Sequence, residues 1–192
     1  MTTAGAWSKT FLEPLLNNTK FNTPKTLILL TFDENHTYTI QNNILGLLLG
    51  NAVPKELVGT TDSQFYNHYS QISTVSSNWD LPTLGRWDVN ANVYSLVANK
   101  TGNVNKAWST LNGTFPAFQN IAFNQSYPGV FNSKINNTGY PIPNINAVNN
   151  GRTVLPAVQS AFAGKSSSYY TNGGVGPMIY DGEDSALPPN WG

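Results

Sequence analysis

The sequence predicts an α/β fold built on a mostly parallel sheet with flanking helices, and three observations carry that expectation. Residues 27–30 are an unbroken apolar run between Pro24 and a polar cluster, the pattern of a strand buried on both faces. Residues 44–49, I-L-G-L-L-L, repeat that pattern. Stretches of helical period precede and follow these two runs, which places helices against the sheet.

A first helix is expected over residues 6–16, where Trp7, Phe11, Leu12 and Leu15 fall at helical spacing; Thr2 or Thr3 offers a cap, and Pro14 weakens the last turn. Its aromatic side chains are expected to cover one face of the sheet. The first strand then leads straight into Asp33-Glu34-Asn35, with His36 next. In open α/β sheets, ligands bind beyond the carboxyl ends of the strands, so two carboxylates there are well placed for chemistry. Holding them together is costly unless a positive charge neutralises them. Their hard oxygens suit Mg, Ca or Mn, and Zn if a histidine joins. The alternative is that Asp33 and Glu34 simply open a solvated turn.

Residues 50–64 are rich in turn formers and belong at the rim of the sheet. Then comes F-Y-N-H-Y-S, with Ile72, Val75 and Trp79 following at the spacing of a helical apolar stripe. His68 falls at or just before the first turn of that helix, where the positive end of the dipole favours a neutral ring able to bind a metal; a capping or packing role is the alternative. Residues 81–88 read as a rigid connector. Within it Arg86 either grips a phosphate with its planar fork or ties the loop to a carboxylate. Asp88 is expected to cap another helix, with Val89, Val93, Leu96 and Val97 along one face. Beyond Asn99 proline and glycine recur, and an irregular outer layer is expected, interrupted by one helix at roughly residues 152–163 and ending in a partly disordered tail.

Composition narrows the function classes. Charged residues make up only 10% of the 192, and ten basic residues balance ten acidic ones, so no basic field exists to attract nucleic acid. Asparagine takes up the polarity, with 26 copies. Six begin N-x-S/T sequons, at Asn17, Asn35, Asn99, Asn112, Asn124 and Asn136, which together with low charge favours a glycosylated, secreted origin. There is no cysteine, which excludes disulfides and thiolate metal sites. No apolar run approaches the roughly 20 residues that span a bilayer. The amino terminus lacks a basic region followed by an apolar one, so this chain is expected to carry no secretory signal and to have lost something in front.

The segments T-F-D-E-N, F-Y-N-H-Y-S and W-D-L-P-T-L-G-R-W-D, in this order and spacing, resemble the carboxyl-terminal half of the phosphoesterase family that contains fungal secreted acid phosphatases and bacterial phospholipases C, within the alkaline-phosphatase-like superfamily. The resemblance is dense from about residue 4 to residue 98. It implies a partial alkaline-phosphatase-like sandwich, with residues 1–98 as the later half of a catalytic domain and 99–192 as a sequon-bearing extension on the same domain. It also implies metal-dependent hydrolysis of phosphate monoesters, with a phospholipase C-like phosphodiesterase or a non-catalytic glycosylated wall module as alternatives. By motif position Asp33 and Glu34 resemble metal ligands and His68 a histidine that binds metal or phosphate. Asn35 and Ser70 adjoin them and are weaker candidates, as groups that would support those side chains. Asn35 also begins a sequon, and a glycan there conflicts with a place at the metal. No Ser or Thr here occupies the position of the family's nucleophile, so the resemblance implies a truncated chain that is inactive, or nearly so, by itself. The parent protein is expected in the extracellular space or cell wall, acting on small phosphate esters or phospholipid headgroups with a divalent metal.

Overall fold

The computed structural model describes residues 2–36, 43–85, 88–89, 91–105 and 143–164. The chain divides into two compact units, Met1–Asn35 with Asn43–Thr61 and His36–Asn42 with Asp62–Gly192.

In the first unit, α1 (Thr2–Asn17) is followed by β1 (Ile28–Thr31), β2 (Gly46–Leu49) and a 3-10 turn at Lys55–Leu57. β1 and β2 form an antiparallel ribbon in which Leu29 faces Leu48 and Leu30 faces Leu47. This corrects the expectation of parallel strands buried on both faces. An apolar run reports a tendency to be buried and carries no information on the direction of pairing; here the chain returns beside β1 after residues 32–45 and sets leucine against leucine across the ribbon. Every residue of β1 is half-buried, while Gly46 and Leu47 at the start of β2 are exposed.

The open end of the ribbon, where the chain enters β1 and leaves β2, is fastened by amides. Asn51 donates its backbone N–H to Asn22 Oδ1 at 2.7 Å and its Nδ2 to the Asn22 carbonyl at 2.6 Å, while Asn22 Nδ2 donates to the Leu16 carbonyl at 2.8 Å. One asparagine thereby joins the end of α1 to the turn after β2. Gly50 sits in that turn at φ +103°, and a Cβ there would collide with the Thr26 carbonyl. On α1, Trp7 and Phe11 stack with centroids 5.1 Å apart, yet both are exposed and no residue of the helix is buried. The expectation that they pack on a sheet is therefore corrected: helical spacing aligned them on one face, and the two-stranded ribbon offers too little surface to cover that face.

The second unit contains α2 (His68–Trp79), α3 (Ser95–Thr101), β3 (Val148–Asn149), β4 (Arg152–Thr153) and α4 (Pro156–Phe162). β3 and β4 are joined through Asn150 and Gly151, both at positive φ, the backbone that an Asn-Gly pair adopts at low cost in a two-residue hairpin. Pro156 opens α4, where its missing N–H costs nothing, so the helix expected over 152–163 is shortened and Arg152 lies in a strand. Asp88 caps no helix; its Oδ2 accepts the Leu84 N–H at 2.7 Å, and Val89 enters a core with Ala147 and Val154. The helix expected after Asp88 starts only at Ser95.

Among the described residues, parallel pairing is limited to an isolated bridge between Thr83 and Val154. The architecture is a mixture of helices and small antiparallel ribbons. No described helix is long and apolar enough to cross a membrane. Arg86, the sequons at Asn112, Asn124 and Asn136, and the tail expected to be partly disordered lie outside the described residues.

Gly50→Ala is expected to destabilise the chain by about 1–3 kcal/mol, because alanine must hold a left-handed backbone against a carbonyl oxygen. Urea unfolding followed by circular dichroism checks this, and an unchanged midpoint would contradict the assigned turn.

Candidate functional site

The two acids leave β1 as expected. Asp33 and Glu34 are exposed, Asn35 is half-buried, and the Glu34 N–H donates to Asp33 Oδ1 at 2.9 Å, which turns the Asp33 carboxylate back over the bend. Just before them, Thr31 Oγ1 donates to the Leu45 carbonyl at 3.0 Å and holds the exit of β1 against the returning chain. The acidic pair thus stands on a short, fastened bend of the first unit.

His68 belongs to the second unit and occupies the first position of α2, where the sequence placed it. Asn67 is the N-cap: its Oδ1 accepts the N–H groups of Tyr69 at 3.0 Å and Ser70 at 3.2 Å, and Ser70 Oγ accepts the Asn67 N–H at 3.1 Å. This reciprocal capping box satisfies donors that a helix start otherwise leaves orphaned. Ser70 is fully buried, with its hydroxyl engaged in the cap. Its contribution at His68 is positional, since Asn67 and Ser70 together fix the turn that presents the imidazole. Gln71 Nε2 lies 3.5 Å from His68 Nδ1 on the same turn.

Immediately before the cap stands a group that sequence reasoning passed over. The Tyr66 hydroxyl donates to Asp62 Oδ2 at 2.6 Å, accepts the Ser95 N–H at 2.9 Å and lies 2.8 Å from Ser95 Oγ. A phenol thereby caps the start of α3 and ties it to the start of α2. Burial, reinforced by the Asp62 carboxylate, pushes the Tyr66 pKa well above its ordinary value. Burial also raises that of Tyr94, whose ring packs against Tyr66 with centroids 4.8 Å apart. For Asp62, burial acts upward, but hydrogen bonds from the Tyr66 hydroxyl, the Gln64 N–H and Ser95 outweigh it and hold the carboxyl below the usual range. The D-x-x-x-Y spacing of Asp62 and Tyr66 was a legible signal, although nothing in the sequence pointed to Ser95 as the third member.

Arg152 was likewise missed. It is buried on β4, and its Nε and Nη2 have no hydrogen-bond partner. Burial lowers its pKa, while the nearby Asp80 and Asp88 carboxylates oppose that shift. The Asn-Gly turn just before it is the signal that would have placed it in a strand.

Residues 1–82 match the phosphoesterase family. Over this segment the chain is similar to that family. It is 44% identical to a probable acid phosphatase of Kluyveromyces lactis over 88% of its own length and 39% of that protein's. With an acid phosphatase of Aspergillus niger it shares 41% identity over 94% of its length and 42% of the relative's, and with one of Aspergillus fumigatus 50% over 67% and 27%. The chain thus spans about two fifths or less of the length of these relatives. No solved structure matches it.

For a phosphoesterase the donor set of each unit is informative. Among the described residues of either unit, no three His, Asp or Glu side chains gather to hold a metal ion. Asp33 and Glu34 offer hard carboxylate oxygens, and within their own unit these two side chains fall short of the ligand number that a divalent ion takes.

The Tyr66 junction yields a signed pH dependence. A pKa raised by folding contributes stability below the unfolded value of about 10 and loses it as pH rises past that point. The melting temperature is expected to hold steady up to about pH 10 and then fall. Tyr66→Phe should lower it at pH 8 and flatten the alkaline fall, and a variant whose alkaline limb matches the wild type would contradict the assignment.

Proposed function

We propose that this chain forms part of a hydrolase of phosphate monoesters of the acid phosphatase type. The observation that carries the reading is its 39–44% identity to proteins named acid phosphatases over 88–94% of its length. It is supported by an acidic pair set on a fastened bend and a histidine held at a capped helix start. The names of these relatives favour phosphomonoesters over the phosphodiesters of phospholipase C.

In this reading Asp33 and Glu34 are carboxylate ligands of a divalent metal whose remaining ligands come from other parts of the domain. When bound, such a cation polarises phosphoryl oxygens and stabilises an alkoxide nucleophile. His68 hydrogen-bonds the phosphoryl group without adding negative charge, and the α2 cap keeps its ring in place as the ester oxygen leaves. Asn35 borders the acids and Ser70 supports the histidine. Asn17 and Asn99, both exposed, are accessible glycan acceptors, in keeping with an extracellular or cell-wall protein.

Hydrolysis of a phosphate ester also needs an oxygen nucleophile, and no Ser or Thr of this chain is assigned that role. The purified chain with added Mn²⁺ is therefore expected to release no p-nitrophenol from p-nitrophenyl phosphate above the buffer rate. Turnover that Asp33→Ala abolishes would contradict this dependence on groups elsewhere. Calorimetric titration with Mn²⁺ tests the metal reading itself: Asp33→Ala should weaken binding at least about tenfold. Indistinguishable isotherms would favour a non-catalytic module.

A further inference from the structure

The second helix is turned inside out by ordinary amphipathic standards. Its buried face is Ser70, Ser73, Thr74, Ser76 and Ser77, set against α3 and the strand-like segment before it. Its apolar residues point the other way: Ile72 is 40% exposed, Val75 52% and Trp79 70%. At about 100° per residue these three positions and His68 fall within an arc of about 60°, opposite the serines. The histidine, itself half-buried, therefore stands at the head of the exposed apolar stripe.

The distribution of apolar surface along the chain has the same sense. Among the described residues, all seven buried hydrophobic side chains lie at or beyond Val89. Twelve of the sixteen large hydrophobic side chains that are exposed lie within residues 1–82, the stretch that matches the phosphoesterase family. On a monomer's surface a contiguous apolar patch marks an interaction face, and within the second unit Ile72, Val75 and Trp79 make one along a single face of α2. The acid phosphatases matched over most of this chain give it only 39–42% of their own length, so the larger part of such a protein is polypeptide that this segment does not contain.

From these observations we infer that the His68–Ile72–Val75–Trp79 face of α2 is the docking surface for the complementary part of a phosphoesterase domain, and that docking is what brings the missing reactive groups to His68. The inference rests on the phosphatase reading for its second half alone. Helix-to-domain packing along this stripe buries a tryptophan and two aliphatic side chains, the kind of anchor that dominates an interface. It also removes water from around the imidazole, where a hydrogen bond to a phosphoryl oxygen then acts in a lower dielectric.

The test co-expresses the 192-residue chain with the part of the Aspergillus niger acid phosphatase that lies outside its match to this chain. Sedimentation should show a one-to-one complex, with Trp79 fluorescence shielded from acrylamide. Val75→Lys should weaken the complex at least tenfold, and Asn78→Lys, on an exposed position off the stripe, should not. His68→Ala should leave the complex intact and remove any p-nitrophenyl phosphate hydrolysis that the complex has gained. A Val75-sensitive complex without hydrolysis would leave the docking surface standing and overturn the phosphatase reading. A soluble pair that does not associate, a complex indifferent to Val75→Lys, or self-association of the chain through this face would each overturn the docking proposal. If the complementary part is insoluble, the intact Aspergillus niger protein serves instead. Lysine at its residue aligned with Val75 should then lower Tm by about 4 °C or more, and lysine at the residue aligned with Asn78 should not; equal effects would overturn the proposal.

Discussion

The second unit depends on buried hydroxyl and amide groups that hydrogen-bond to one another and to the backbone, with Ser73 Oγ and Thr83 Oγ1 as buried exceptions that have no partner. Such groups are expensive to take out of water unpartnered and close to neutral when satisfied. Along α2, Thr74 Oγ1 accepts the Tyr94 N–H at 3.0 Å, and Ser77 Oγ donates to Thr101 Oγ1 at 2.8 Å while receiving the Asn103 amide. The segment leading into α3 is pinned in the same manner: Asn105 Oδ1 accepts the Val93 N–H, Asn105 Nδ2 donates to the Val93 carbonyl, and Asn92 Nδ2 reaches the Phe65 carbonyl. Each bond contributes on the order of 1 kcal/mol, and losing one partner costs more than that because the other remains buried. Ser, Thr and Asn therefore do here what aliphatic packing does in an ordinary helix pair.

This constraint gives the composition a physical meaning. A chain with 10% charged residues and 26 asparagines has few ion pairs with which to join its elements, and it joins them with neutral amides and hydroxyls instead. Asn22 and Asn51 hold the open end of the β1–β2 ribbon, and Asn67 starts α2. Neutral hydrogen bonds are insensitive to salt screening, so the integrity of both units is expected to be nearly indifferent to ionic strength. Among the described residues charge does enter at the Asp62–Tyr66–Ser95 junction, as it does around Arg152. At Asp62 the partial desolvation of an exposed carboxylate is offset by donors aimed at it, and the same arrangement disfavours a phenolate at Tyr66.

What was legible in the sequence follows from which signals are local. The start of α2 at Asn67-His68 was readable because a cap is a property of four consecutive residues, and the acids after β1 were readable because a strand exit is marked by a change from apolar to polar. The direction of strand pairing was not, since Leu27 to Leu30 look alike to a parallel and an antiparallel neighbour. Nor was the orientation of α2. Spacing showed that Ile72, Val75 and Trp79 share a face, and the assumption that an apolar face is an inward one failed because the segment at Tyr94–Asn103 offers α2 hydrogen-bond partners in place of a greasy groove. The Asn150-Gly151 hairpin was legible and overlooked, masked by a stretch otherwise rich in turn residues.

A face that carries its histidine among exposed aliphatic and aromatic side chains makes a demand of its own. An imidazole intended only to face solvent gains nothing from such neighbours, whereas one that must work beside a phosphoryl group gains from having water removed once the stripe is covered. The same covering that stabilises the helix would then switch the histidine's surroundings from wet to dry. Folding and chemistry are in that case coupled through one surface. The serines behind α2 fix where that surface stands before anything docks, and the capping box at Asn67 fixes which way its first residue points.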